Sequence, residues 1–325
     1  MKRREFITLL SGSVIAWPLA ARAQQPERVH RIGLLETTSR PLNAANFEAF
    51  RQALRELGHI EGRNLVIEYR SADGRSERFP ELATELVRLN CDLIITRGTP
   101  AALAAKQASE TIPIVMTATS EPFALVSNLA HPDGNITGLS SLSADLFSKR
   151  LELLKELIPV LGRVAHLTDA GNPTLVRIRR EIETAAQSMG IASPLLDVRK
   201  TEDIGPAFDS ASNQRVDALI VGTDTVTQAN RQFIALLAVR HRLPAIYGSR
   251  EFVEAGGLMA YGVSYPDLYR RAAIYVDKIF KGAKPAELPI EQPTKFDFVI
   301  NLRAAKAIGL AIPETFLVRA DEVIE

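Results

Sequence analysis

Arg31-Ile32-Gly33-Leu34-Leu35 returns, with changes, as Arg163-Val164-Ala165-His166-Leu167. Gly58, which closes the helical pattern after the first run, returns as Gly190 after the second, at the same offset of 132. Asp92-Leu93-Ile94-Ile95 followed by Gly98-Thr99 is echoed by Asp217-Ala218-Leu219-Ile220 followed by Gly222-Thr223. Ile112-Pro113-Ile114-Val115 then pairs with Leu243-Pro244-Ala245-Ile246. Four echoes in one order argue for two copies of one unit.

Within each copy short apolar runs alternate with helical patterns, which implies βαβ units and a parallel sheet. Strands are expected at Ile32–Leu35, Leu65–Tyr69, Leu93–Thr96 and Ile114–Thr117. Helices are expected at Asn43–Leu57 and Phe79–Leu89, after Thr99-Pro100, which supplies an N-cap with proline in the first turn, and after Glu121-Pro122. Ile136–Leu139 reads as the first passage from one copy to the other. After the second copy come a strand at Leu258–Tyr261, a helix from Asp267 to Phe280 and a last strand at Phe296–Asn301. The fold class is therefore α/β: two Rossmann-like lobes with parallel sheets, joined by a hinge. The expected division gives 24–140 plus about 263–286 to one lobe, and 141–262 plus about 287–325 to the other.

The first 23 residues read as a cleaved export signal. Lys2, Arg3 and Arg4 precede an apolar run from Phe6 to Ala16, and Ala21-Arg22-Ala23 forms a small-x-small cleavage site before Gln24. The apolar run is shorter than the ~20 residues of a bilayer span. Arg3-Arg4-Glu5-Phe6 has the paired arginines of a twin-arginine signal, while a Sec signal would also begin with basic residues. Gln24 at the cleavage point lacks the cysteine that lipid anchoring needs.

The 325-residue chain has 39 Lys+Arg and 38 Asp+Glu, and loss of residues 1–23 leaves 35 against 37. A near-neutral, mixed surface has no electrostatic footprint for nucleic acid or anionic membrane. Cys91 is the one cysteine, which excludes an intrachain disulfide and a thiolate metal cluster. Five scattered histidines show no metal-ligand spacing, and no nucleophile elbow, dinucleotide fingerprint or P-loop occurs. No cofactor is expected, and an enzyme would rest only on strand-end carboxylates.

In open parallel sheets ligands sit at the C-terminal ends of the strands. The segments there are rich in hydroxyls and glycine. Gly98-Thr99 can hold a carboxylate at a helix N-terminus. Asp224 can face an ammonium group, and Tyr247 or Tyr261 can flank an apolar side chain. A plainer reading stands beside each. Thr99, Thr174 and Ser249 serve equally as N-caps, Asp169, Gly171 and Asn172 as a turn before Pro173, and Tyr265, Tyr269 and Tyr275 as helix packing.

DLIITRGTPAALAA (Asp92–Ala105), IPIVMTATSEP (Ile112–Pro122), PDGNITGLS (Pro132–Ser140), LPAIYGSREFVEAGGLMAYGVSY (Leu243–Tyr265) and FVINLRAAKAIGLAIPETFLVRADEVI (Phe298–Ile324) together resemble the tryptophan/tyrosine-type substrate-binding proteins of ABC transporters. The resemblance implies a type I periplasmic-binding-protein fold with three crossings and hinge closure over one small ligand. It implies a periplasmic monomer that delivers its ligand to an inner-membrane permease. It places ligand contacts at Gly98, Thr99, Ser120, Asp169, Asn172, Asp224 and Glu251; Glu121 and Tyr247 join them as strand-end candidates. The chain departs from the amino-acid binders where Ser120-Glu121-Pro122 replaces a Thr-Asp-Pro pattern, which leaves related carboxylates open as ligands. A periplasmic sensor subunit or an exported enzyme with the same cleft are the alternatives.

Overall fold

The computed structural model describes residues 28–141 and 146–325; the expected export signal lies outside them. The first half alternates β1 (His30–Glu36), α1 (Ala44–Glu56), β2 (Leu65–Ser71), α2 (Phe79–Arg88), β3 (Leu93–Arg97), α3 (Thr99–Ala108), β4 (Ile114–Thr119) and β5 (Ile136–Ser140). The second runs α4 (Leu146–Leu157), β6 (Val164–Asp169), α5 (Leu175–Ser188), β7 (Leu195–Val198), α6 (Ile204–Asn213), β8 (Ala218–Val221), α7 (Thr225–Ala229), α8 (Arg231–Arg240), β9 (Ala245–Tyr247), α9 (Arg250–Glu254) and β10 (Met259–Val263). There follow α10 (Tyr265–Phe280), β11 (Phe296–Asn301), α11 (Leu302–Ile308), α12 (Glu314–Leu317) and β12 (Glu322–Ile324).

The strands form two sheets, ordered β2-β1-β3-β4-β5 and β12-β11-β10-β9-β8-β6-β7. Apart from β11 and β12, the second order repeats the first strand for strand, which is the internal repeat in three dimensions. All pairings are parallel except β10 with β11. Even the edge devices recur. Asp92 accepts the Arg31 N–H at 2.8 Å, and Asp217 accepts the Gly162 and Arg163 N–H groups at 2.9 and 2.8 Å.

Both sheets are covered on both faces, so their strands are apolar almost throughout. On β3, Leu93 and Ile95 face the layer of α1 and α10, while Ile94 faces α2 and α3. On β8, Leu219 and Val221 pack towards α6 and α8, and Ala218 and Ile220 towards α4 and α5. Helix α10 follows a strand of the second sheet yet packs on α1, burying Leu268, Ala272 and Val276 in the first core. Each such buried Leu or Val contributes about 1.5–3 kcal/mol relative to exposure, enough to hold α10 there.

The chain therefore passes between the sheets after Ser140, near Ser264, and again after Glu291. Up to Glu291 it stays with the first sheet, where Ser140 N–H donates to Glu291 O at 2.9 Å and Glu291 N–H to Gly138 O at 2.9 Å. Ile136–Leu139, read as a passage, is the edge strand β5, and the passage follows it. The helix expected after Glu121-Pro122 is one tight turn, Pro122–Ala124. Leu125 and Val126 are drawn into the core. Ser127 Oγ then bonds Asp133 at 2.5 Å and Asn128 Oδ1 takes the Ala130 N–H at 2.8 Å, local bonds that compete with a helix.

Candidate functional site

The strand order reverses direction of growth between β1 and β3, and again between β6 and β8, and crevices open at the carboxyl ends of strands at such points. The two crevices face each other and enclose a cavity with about 760 Å³ of empty space, open solvent included. Thr37 after β1, Gly98 and Thr99 after β3, Ser120 after β4 and Ser141 after β5 line it from the first sheet. Asn172, Gly222, Thr223 and Asp224 line it from the second.

Gly98 adopts φ 85° and ψ 156°, a backbone that side-chain-bearing residues avoid, and so turns the chain from β3 directly into α3. Pro100 in the first turn has no N–H, so the unpaired donors of that helix end fall to Thr99 and Ala101. Thr99 Oγ1 lies 3.1 Å from Ser120 Oγ and accepts the Glu121 N–H at 3.3 Å. This wall offers N–H and hydroxyl groups at the positive end of a helix dipole, suited to an anion.

The facing wall is acidic. Asn172 Nδ2 donates to Asp224 Oδ1 at 2.9 Å, and the Asp169 N–H to Asp224 Oδ2 at 3.4 Å. Burial, and then the charge of Asp169, push the Asp224 carboxyl up to about 6. Burial likewise raises Asp169. A cationic group beside Asp224 would relieve both effects. Gly222 is needed here because a Cβ on it would stand 2.9 Å from Asp224 Oδ2.

Behind these polar ends the cavity runs into the second half, between Phe147 and Arg150 of α4, His166 of β6 and Ile178 and Ile182 of α5, with Tyr265 across. Arg150 is 4 % exposed, donates from Nε to Tyr261 O at 2.8 Å, and burial lowers its pKa to about 10. Burial, helped by Arg150, lowers His166 to about 3.

Three sets of contacts outside the cavity clamp the two halves together. Glu251 on α9 accepts from Arg97 Nη2 at 2.9 Å, from Asn46 Nδ2 at 2.6 Å and from Gln228. Arg97 is itself bonded to Asn43 Oδ1 at 3.0 Å and stacks 4.3 Å over the Tyr265 ring, which lines the cavity. Burial opposes ionisation of Glu251, but Arg97, Arg231 and Asn46 together outweigh it and hold the carboxyl below its usual range. Elsewhere, Arg177 meets Glu121 at 3.1 Å, and Ser76 donates to Asp169 at 3.2 Å.

Of the residues singled out in sequence, Gly98, Thr99, Ser120, Asn172 and Asp224 come together around the cavity. Glu121, Asp169 and Glu251 instead occupy the flanking contacts between the halves. Tyr247 is in neither place: strand alternation turns it into the core against α9, where its ring stacks on Phe252 at 4.8 Å. Arg150, Phe147, Ile178 and Ile182 were not singled out. The signal was available in α4, where Arg150 interrupts the buried face formed by Phe147, Leu151 and Leu154. His166 stood in the repeated strand run and among the five scattered histidines, and Tyr265 in a matched stretch and in helix packing, with no site role for either.

Among the described residues no helix is long and apolar enough to cross a membrane. A family model described as ABC transporter substrate binding protein matches residues 31–324. A tyrosine-binding protein of Clostridioides difficile (strain R20291) is 26% identical over 285 residues, covering 86% of this chain and 81% of that protein. The ABC domain from Streptococcus pneumonia solved with L-Trp is 25% identical, with a TM-score of 0.81 over 91% of this chain and all of that one. A ligand-free, open substrate binding protein with adhesive properties from Clostridium difficile is also 25% identical, over 91% of this chain and 99% of that one, but superposes with a TM-score of 0.64. At equal identity, the arrangement described here is nearer the liganded structure than the open one. The fold is that of type I periplasmic binding proteins.

Proposed function

The chain belongs to the ABC transporter substrate-binding protein family, and from that premise we propose that it is the periplasmic solute-binding component of an importer, capturing one amino acid between its two sheets. The observation that carries this reading is the pairing of opposite walls. The α3 N-terminus with Thr99 and Ser120 suits a carboxylate, and Asp224 with Asn172 suits an ammonium group. The extension past Phe147, Ile178 and Ile182, which Arg150, His166 and Glu181 also line, gives room for a bulky side chain. The ligands of two relatives, tyrosine and L-Trp, have that form.

On this reading residues 1–23 direct export and are removed. The lobes comprise residues up to about 140 with about 263–291, and the remainder. The three passages between them are the hinge, and closure is a rigid-body motion about a few residues. Arg97–Glu251, Arg177–Glu121 and Ser76–Asp169 form only when the lobes meet, so they contribute to the closed state. The closed monomer is what a permease in the inner membrane would recognise.

The test is a thermal-unfolding panel of the processed chain from Gln24 against tyrosine, tryptophan, phenylalanine, leucine and aromatic acids. Ligand at about 100 times its Kd adds about 2.7 kcal/mol to the folded state. The chain's one tryptophan is Trp17, so from Gln24 onward it has none. Bound L-Trp is then the sole tryptophan emitter, and its spectrum reports entry directly. A transition unmoved by every amino acid would remove the proposal.

A further inference from the structure

Away from the cavity, two carboxylates from opposite halves compete for one arginine. β1 and β3 run parallel in a register that pairs Leu34 with Ile95 and Leu35 with Thr96, so Glu36 and Arg97 come next, side by side. Alternation puts both on the face of Leu34 and Ile95, towards α1 and α10. A buried carboxylate and guanidinium so placed would ordinarily pair. Instead Arg97 gives Nη2 to Glu251 at 2.9 Å and Nη1 to Asn43 at 3.0 Å. Glu36, fully buried, keeps the Tyr269 hydroxyl on Oε1 at 2.5 Å, while its buried Oε2 has no hydrogen-bond partner among the described residues. An ionised carboxylate is far costlier to leave in that state than a protonated one. The titratable groups that face it are Arg97, Tyr69 of β2, Tyr269 of α10 and Glu251 of α9, with Tyr265 beside Arg97 and Arg231 beside Glu251. Burial holds Tyr69 and Tyr269 well above their usual range, so neither adds a charge. Burial, only partly offset by Arg97 and reinforced by Glu251, pushes Glu36 up to about 7.

We infer that lobe closure hands Arg97 from Glu36 to Glu251, so that closing, and ligand capture with it, takes up a proton from solvent on Glu36. This rests on the two-lobe capture proposed above and adds a proton to it. When the lobes part, Glu251 leaves with the second lobe, and Arg97 turns to its strand neighbour and favours the Glu36 carboxylate. When they meet, Glu251 takes the guanidinium and brings a like charge near Glu36, which then holds a proton instead. Each form thus keeps Arg97 paired with one carboxylate. Because the closed form binds more protons, closure is favoured as pH falls through 7, where Asp224, at about 6, is already mostly ionised.

The experiment is calorimetric titration of the processed chain with L-tyrosine and L-tryptophan at pH 7, in phosphate and in Tris, whose different ionisation heats count the protons exchanged. Uptake of about a third to a half of a proton per ligand is expected, with affinity falling about twofold between pH 7 and 8. Glu36→Gln, which has the shape of the protonated form, should bind without uptake and without that fall. Glu251→Gln, which keeps the hydrogen bonds but not the charge, should bind more weakly and also lose the uptake, since Arg97 then stays with Glu36. Thermal unfolding checks that both variants fold. Binding without proton uptake, or uptake that survives Glu36→Gln, overturns the inference while leaving amino-acid capture standing. If neither amino acid binds, the function proposed above fails and this inference with it.

Discussion

Replacing Glu251 by alanine tests whether closure is held by contacts the ligand never touches. In the closed arrangement Glu251 takes hydrogen bonds from Arg97, Asn46 and Gln228, and none of these four residues lines the cavity. Removing one partner of a buried ion pair costs about 3–5 kcal/mol, because the other charge stays buried. Arg97 keeps Asn43 Oδ1, the Tyr265 ring and the nearby charge of Glu36, which favours a figure of about 2–3 kcal/mol. When the lobes part, water reaches Arg97, so the loss falls on the closed state. A ligand retained by closure should then bind about 30- to 150-fold more weakly. Calorimetry gives the Kd, and stopped-flow displacement should assign the change mostly to faster dissociation. The order of preference among ligands should not change. Exchanging both partners for apolar residues, Arg97→Met with Glu251→Leu, should recover part of the affinity. A Glu251→Ala protein binding within twofold of wild type would refute the clamp.

Three further outcomes follow from the same geometry. Asp224, at about 6 without ligand, must ionise to pair with an ammonium group, so amino-acid affinity should rise by up to about tenfold between pH 5 and 7 with proton release below pH 6, and Asp224→Asn should weaken binding and abolish that slope in calorimetry at several pH values. Glu36 is fully buried, accepts from Tyr269 at 2.5 Å, and burial pushes it up to about 7. Its folded pKa lies above the unfolded value, so its favourable contribution is complete below about pH 4.5 and is lost as pH rises through 7; Glu36→Gln should remove up to about 3 kcal/mol of that pH dependence in chemical unfolding. Gly222→Ala meets only the flexible end of Asp224, so melting should be little changed while ligand affinity falls about tenfold or more, and equal affinity would take the Gly222 turn out of the site.

The repeat was legible because parallel strands buried on both faces need unbroken apolar runs, and such runs recur visibly at a fixed offset. Gly98-Thr99-Pro100 was legible for a local reason, since a helix start carries its own residue signals. What sequence could not show was direction and distance. Nothing in Phe296–Asn301 says that it runs antiparallel to β10, because alternation is the same either way. Glu251 looked like a strand-end ligand residue, yet its partners Arg97 and Asn46 stand 154 and 205 residues away and meet it from the other half of the molecule. Arg150 was hidden because it enters the cavity from a helix, and His166 because a buried strand position gives no sign of which cavity it floors.

The most direct test of the whole account is calorimetric titration of the processed chain with L-tyrosine and L-tryptophan, followed by recovery and mass analysis of the ligand. One ligand bound per chain and returned chemically unchanged is the predicted result. No saturable binding of either, or a ligand recovered as a different molecule, would contradict it.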